Sequence, residues 1–178
     1  MVNAIKPTVL LALSSAMLTL AMLRSSLKTL AYKCYVRPVL EYSSTVWDPY
    51  TVSATRKLES VQRRSASYTL GWYYRHTSSV DAMLTQLEWE SLAARRRTAR
   101  LLMFYKINNG LVAAAIPLLP KLHFLPIWTE NSQAYHIPTS LRDYHLHSFY
   151  PQTVRAWNIL PETVVRATSE TFKNSISQ

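Results

Sequence analysis

Apolar positions recur every three or four residues through much of the first 110 residues, which is the spacing of amphipathic helices. A helix is predicted from residue 24 to residue 35. One face of this helix is apolar and consists of Leu27, Leu30, Ala31 and Cys34. Pro38 predicts the end of this segment, because the residue before a proline is disfavoured in the helical conformation.

The same spacing predicts a second helix from about Ser53 to Gly71. Ser53 is a suitable N-cap, and glycine commonly closes a helix in the left-handed conformation. The predicted inward face of this helix consists of Ala54, Leu58, Val61, Ser65 and Tyr68.

Two further helices follow. Ser79 is the predicted N-cap of a short helix over Val80–Leu87, and Ser91 is the predicted N-cap of a longer one. The longer helix is expected to end at the Asn-Asn-Gly sequence of residues 108–110. Its second half, at 101–105, is apolar on several faces and is therefore expected to be buried on more than one side.

Beyond residue 110, recurring prolines predict a mostly irregular stretch over 111–150, with short helices near Pro151 and Ser169. The pattern as a whole predicts an all-α fold, a small helical bundle followed by a less regular, proline-rich tail with short helices. The expected organisation is an apolar N-terminal helix at 1–23, a basic helical domain at 24–110 and an irregular C-terminal region at 111–178.

Residues 9–23 form an apolar run of 15 residues, VLLALSSAMLTLAML. A membrane-spanning helix needs about 20 apolar residues, so a buried core helix is the expectation. A signal peptide or membrane anchor stays open as an alternative, because Lys6 precedes the run and small residues at 14–16 resemble a cleavage site.

The charge pattern favours a polyanionic partner. The chain carries 20 Lys and Arg against 10 Asp and Glu, a net charge of +10, and most of the excess falls between Arg24 and Lys106. A basic balance of this size favours nucleic acid (RNA, DNA or an RNA–DNA hybrid) before membrane. The candidate binding residues are Arg56, Lys57, Arg63, Arg64, Arg75, Arg95, Arg96, Arg97 and Arg100. The nearby aromatic residues Tyr68 and Trp72 are expected to lie in the core.

The sequence gives little support for a catalytic or metal-binding site. Two-metal nucleotidyl transfer needs carboxylates close together, and no two acidic residues are adjacent in this chain. The histidines at 136, 145 and 147 with Asp143 are read as loop residues, so no metal, cofactor or catalytic residue is expected. Two glycines in 178 residues argue against a phosphate-binding loop or a dinucleotide fold. The single cysteine excludes an intrachain disulfide.

Several strings resemble the region that follows the catalytic palm in reverse transcriptases of non-LTR retrotransposons, of the CR1- and jockey-like kind. The most specific are VRPVLEYSSTVWDP at 36–49, KLESVQRRSA at 57–66, MFYKINNGL at 103–111 and SFYPQTVRAWNILP at 148–161. The resemblance runs in order from about Ala31 to Lys173. In two places the chain departs from the family's pattern: Glu88 stands where the family has glycine, and Ala94 where it has an acidic residue.

The resemblance implies a helical thumb that holds the backbone of the template–primer duplex and does no chemistry. The paired aspartates of the polymerase lie before this region in the family, so the expected function is nucleic-acid binding without enzyme activity. A nuclear or cytoplasmic location is expected, with a membrane location as the alternative. A membrane-anchored or secreted protein, and an open reading frame without function from a dead element, stay open as alternatives.

Overall fold

The computed structural model describes residues 25–72, 79–112, 131–137, 139 and 142–176. These residues confirm the all-α fold, because they form helices and contain no β element beyond a single bridge residue at Tyr135. The predicted helix at 9–23 lies outside the described residues. The chain divides into two compact units, Met1–Ala93 and Ala94–Gln178, whereas the boundary predicted from the sequence was at residue 110.

Pro38 does not end the first helix, contrary to the prediction. Helix α1 (Ser25–Ala31) passes into a π-helical turn (Tyr32–Val36), and α2 (Arg37–Glu41) follows directly. The Arg37 N–H donates to the Tyr32 carbonyl, five residues back. Pro38 then lies in the first turn of α2, where its missing N–H is not needed. The chain continues through α3 (Ser44–Trp47), which stops before Asp48 and Pro49.

Helix α4 (Val52–Leu70) is capped two residues earlier than predicted. The Thr51 hydroxyl, rather than Ser53, accepts the Ala54 N–H at 3.4 Å. The inward face is also rotated from the prediction. Leu58 and Ser65 are buried as expected, but Ala54, Val61 and Tyr68 are only half-buried. The other buried positions of α4 are Gln62, Ala66 and Thr69.

Helices α5 (Val80–Leu87) and α6 (Leu92–Asn108) match the predicted bounds. Helices α4, α5 and α6 end in the same way, with a left-handed residue at Gly71, Glu88 and Gly110 respectively. In each case the next N–H reaches the carbonyl five residues back, as Trp89 does to Leu84 at 2.8 Å. This is the Schellman arrangement, and it explains why a glycine would suit position 88.

We therefore expect Glu88→Gly to raise the free energy of unfolding by about 0.5–1 kcal/mol, because a non-glycine residue at φ 54° is strained. Urea unfolding followed by circular dichroism measures this gain. The matched control is Gly71→Ala, which should lower the free energy of unfolding by a similar amount, because alanine is strained at φ 70°. No atom lies within 4 Å of the added Cβ, so a steric clash does not add to this loss. A Glu88→Gly chain less stable than wild type would contradict the strain argument.

The core of the first unit joins the α1–α2 run to α4, α5 and the start of α6. Tyr32 stacks on Trp89, with ring centroids 4.1 Å apart and nearly parallel planes. The other buried members are Val36, Leu40, Leu58, Ala66, Met83, Leu84 and Leu92. Aromatic stacking and aliphatic burial thus hold α4 in place, with its opposite side left to solvent.

The second unit contains the rest of α6, α7 (Asp143–Leu146), α8 (Phe149–Asn158), α9 (Glu162–Val165) and α10 (Ser169–Ile176). The helices near Pro151 and Ser169 confirm the prediction. Trp157 and Phe172 are fully buried, and Tyr105 stacks on Phe172 at 4.4 Å. The apolar half of α6 is buried as predicted, with Leu101, Phe104 and Tyr105 inside.

A buried polar network holds residues 131–135 against α8. The Asn158 side chain accepts the Tyr135 N–H at 3.0 Å and donates to the Tyr135 carbonyl at 2.8 Å. The Asn131 amide donates to the carbonyls of Trp157 and Leu160, both at 2.9 Å. These bonds satisfy backbone groups of a segment that lies outside the helices.

A carboxylate secures the same segment from α9. The backbone N–H and the hydroxyl of Ser132 both donate to Glu162 at 2.6 Å, and Arg166 forms an ion pair with that carboxylate. The hydrogen bonds from Ser132, and then Arg166, lower the pKa of Glu162.

Candidate nucleic-acid interface

Four cations lie on the solvent side of α4: Arg56, Lys57, Arg63 and Arg64. All four side chains are exposed, as predicted from the sequence. They lie on the side of α4 opposite the buried positions Leu58, Gln62 and Ser65. We call this set the basic face of α4. Within the part of the chain that the structure describes, none of the four forms an ion pair.

The basic face has a regular geometry. Arg56 and Arg63 are seven residues apart, as are Lys57 and Arg64, so each pair spans two helical turns, about 10.5 Å along the axis. An open cleft of about 500 Å³ lies between Arg56 and Arg63 and is also lined by Thr55, Glu59, Ser60 and Val80. Cations along one helix face suit the repeated phosphates of a nucleic-acid backbone.

Glu59 is the one acidic residue of α4, and it is engaged elsewhere. Its carboxylate accepts the Ala93 N–H, at the first turn of α6, at 3.0 Å. A carboxylate at that position complements the positive end of the helix dipole. The first turn of α6 has no acidic residue of its own, so Glu59 supplies from α4 the carboxylate that this end of α6 lacks.

Gln62 completes the junction between α4 and α6, and sequence reasoning missed it. This residue is only 2% exposed. Its side-chain nitrogen donates to the Glu90 carbonyl at 2.8 Å, and its oxygen accepts the Leu92 N–H at 3.2 Å. The helical spacing of positions 58, 62, 65 and 69 is visible in the sequence, and the structure shows that all four are buried. Because glutamine is polar, a search for apolar positions does not assign Gln62 to the buried face.

The arginines of α6 do not form one exposed surface, which corrects the prediction for two of them. Arg97 is exposed and Arg95 half-buried, but Arg96 and Arg100 are only 2% and 8% exposed. Burial lowers the pKa of Arg100. Leu92, Arg96, Arg100 and Phe104 are four residues apart and share one buried stripe. Arg96 and Arg100 therefore belong to the interior rather than to a phosphate-binding surface.

Replacing Arg96 by alanine should lower the free energy of unfolding by about 1–3 kcal/mol, because its side chain is 2% exposed and its removal leaves a cavity in the interior. Its effect on nucleic-acid affinity, measured at a temperature where the variant is folded, should be small. Arg97→Ala, the exposed neighbour, should change stability by less than about 0.5 kcal/mol. Equal stability losses in the two variants would contradict the placement of Arg96 in the interior.

The aromatic residues beside the basic face are only partly exposed. Trp72 is half-buried and packs on the first core. Tyr68 is half-buried, and Lys28 lies 4.6 Å from its ring centroid and donates to its carbonyl at 3.5 Å. Arg75 lies outside the described residues, so its candidate role stays a prediction.

Among the described residues, no three His, Cys, Asp or Glu side chains come together as a metal site, and His136, Asp143, His145 and His147 are all exposed. No helix in the described ranges has both the length and the apolar character to cross a membrane. Comparison of the chain with models of protein families, with curated proteins and with solved structures gave no match.

Proposed function

We propose that this chain binds nucleic acid through the phosphate backbone and without sequence specificity, as a thumb-like fragment of a non-LTR retrotransposon reverse transcriptase. The observation that carries the proposal is the basic face of α4. It presents four exposed cations on one side of a 19-residue helix, while the helix's only carboxylate is held at the start of α6.

Electrostatics explains why such a face would be insensitive to sequence. Arginine and lysine on a helix exterior contact phosphate oxygens, which are the same for every base pair. The role is therefore positional, and any chemistry belongs to another part of a polymerase.

Sequence independence is tested by measuring the affinity of the full chain for two RNA–DNA hybrids of equal length and unrelated sequence. Backbone binding predicts that the two dissociation constants lie within about threefold of each other, which corresponds to a difference in binding free energy of less than about 1 kcal/mol. A preference of a hundredfold or more would indicate base readout and would contradict the proposal.

The chain is also expected to lack polymerase activity. The purified protein with Mg²⁺ or Mn²⁺ should not extend a primer on an RNA template. Two metal ions about 4 Å apart need carboxylates close together, whereas no two acidic residues are adjacent in the sequence and the described residues contain no group of three His, Cys, Asp or Glu side chains. A boiled sample serves as the baseline. Template-dependent incorporation above it would overturn the view of the chain as a fragment without a palm.

A further inference from the structure

Ser60 lies at the centre of the basic face of α4. Each of the four cations of that face is three or four residues from Ser60 along the chain. Residues at this spacing are neighbours on a helix surface, with Cβ atoms about 5–6 Å apart. Arg56 and Arg63 lie on one side of Ser60, and Lys57 and Arg64 lie on the other. We call these five residues the cation ring, because four long cationic side chains surround one small residue.

The open cleft on α4 borders the cation ring. It has a volume of about 500 Å³, and Ser60 lines it between Arg56 and Arg63. Val80, at the start of α5, lines it from the other element. Pockets of about 300–1,000 Å³ accommodate small-molecule ligands, so the cleft leaves room for a terminal nucleotide beside the ring.

The charge of the cation ring is not neutralised from within α4. Glu59 is three or four residues from two of the cations, but its carboxylate accepts the Ala93 N–H at 3.0 Å. Among the residues that the structure describes, none of the four cations forms an ion pair. The Ser60 hydroxyl donates to the Lys57 carbonyl at 2.7 Å, so the cations rather than the hydroxyl would contact a ligand. Four positive charges around one small neutral residue suit a compact anion of high charge.

We infer that the cation ring binds a terminal phosphate, the phosphomonoester at the end of a nucleic-acid strand. A phosphomonoester carries a charge of about −1.5 to −2 at pH 7, whereas each phosphodiester within a strand carries one negative charge. A strand that crosses the basic face spreads the cations over separate phosphates, but a strand end allows all four to converge on one dianion. The inference rests on the proposed function, because it assigns a preferred ligand to the same face.

The affinity of the full chain for a short RNA–DNA hybrid tests the inference. The RNA strand is prepared with either a 5′-phosphate or a 5′-hydroxyl, and the short length limits binding at internal phosphates. The phosphorylated hybrid should bind at least about fivefold more tightly, which is the effect of one further charge about 4 Å from a cation in water. Ser60→Asp places a carboxylate at the centre of the ring and should remove this preference. Ser60→Ala should keep the preference, because the hydroxyl is already engaged.

Ser175→Asp is the matched control for Ser60→Asp. Ser175 is exposed on α10, and its hydroxyl also donates to a carbonyl of its own helix, that of Thr171 at 2.9 Å. The substitution introduces the same negative charge, but the residues one turn before Ser175 are Thr171 and Phe172 rather than cations. The preference for the phosphorylated hybrid should therefore stay unchanged. Circular dichroism checks that each variant keeps its helices.

The possible failures are distinguishable. Equal affinities for the two hybrids, with binding that still weakens as salt rises, would overturn the inference and leave backbone binding standing. A preference that survives in Ser60→Asp would also overturn it. Binding of neither hybrid would contradict the proposed function and the inference together. A nucleoside 5′-monophosphate that binds as tightly as the phosphorylated hybrid would overturn the assignment to a strand end in favour of a free nucleotide.

Discussion

Trp157→Ala should lower the free energy of unfolding of the second unit by about 3–5 kcal/mol. Trp157 is fully buried, its ring lies 5.0 Å from Phe104, and its indole N–H donates to the Gln133 carbonyl at 3.0 Å. Replacement by alanine creates a cavity and also leaves the half-buried Gln133 carbonyl without this donor. Both losses affect the contact between α8 and residues 131–135.

Urea unfolding followed by circular dichroism measures the effect, and two variants serve as controls. Ile159→Ala, two residues away and 61% exposed, should change stability by less than about 0.5 kcal/mol. Trp157→Phe keeps most of the packing and loses the indole hydrogen bond, so its loss of stability should lie between those of Trp157→Ala and Ile159→Ala. An alanine variant as stable as Ile159→Ala would show that Trp157 is not the centre of this core.

The double change of Arg63 and Arg64 to alanine should flatten the salt dependence of nucleic-acid binding by up to about 2 units in the slope of log K against log salt. Each phosphate that a cation neutralises contributes about −0.9 to that slope on duplex DNA. Both side chains are exposed on the solvent side of α4, so helical content should stay nearly unchanged.

A control of equal charge separates local contact from the general loss of positive charge. Arg155→Ala with Lys173→Ala also removes two exposed cations, but from helices α8 and α10 of the second unit. This control should change the slope much less than the Arg63 and Arg64 pair. Equal changes in the two double variants would mean that net charge, rather than the basic face of α4, governs binding.

Local signals explain the parts of the fold that could be predicted. Ser79 and Ser91 stand at the starts of α5 and α6, and Gly71 and Gly110 at the ends of α4 and α6, because such ends depend on residues within one turn. The helix end predicted at Pro38 was wrong, because the π-helical turn just before it shifts the backbone hydrogen bonding by one residue.

The features that were predicted wrongly or missed depend on contacts between residues distant in sequence. Arg96, which is buried, and Arg97, which is exposed, are adjacent and identical in residue type, so composition and charge do not distinguish them. The apolar residues four positions before Arg96 and four after Arg100 give a weak indication of their burial. Likewise, Gln62 acts on residues about 30 positions away, at Glu90 and Leu92, so its role at the start of α6 required the assembled structure.

The most direct test of the central claim is the salt dependence of wild-type binding to duplex nucleic acid. If the four cations of the basic face each neutralise one phosphate, the affinity of the full chain for duplex DNA should fall with a log–log slope of about −3.6. An RNA–DNA hybrid should show the same steep trend. An affinity that stays flat from low to physiological salt would contradict the account of α4 as a backbone-binding helix.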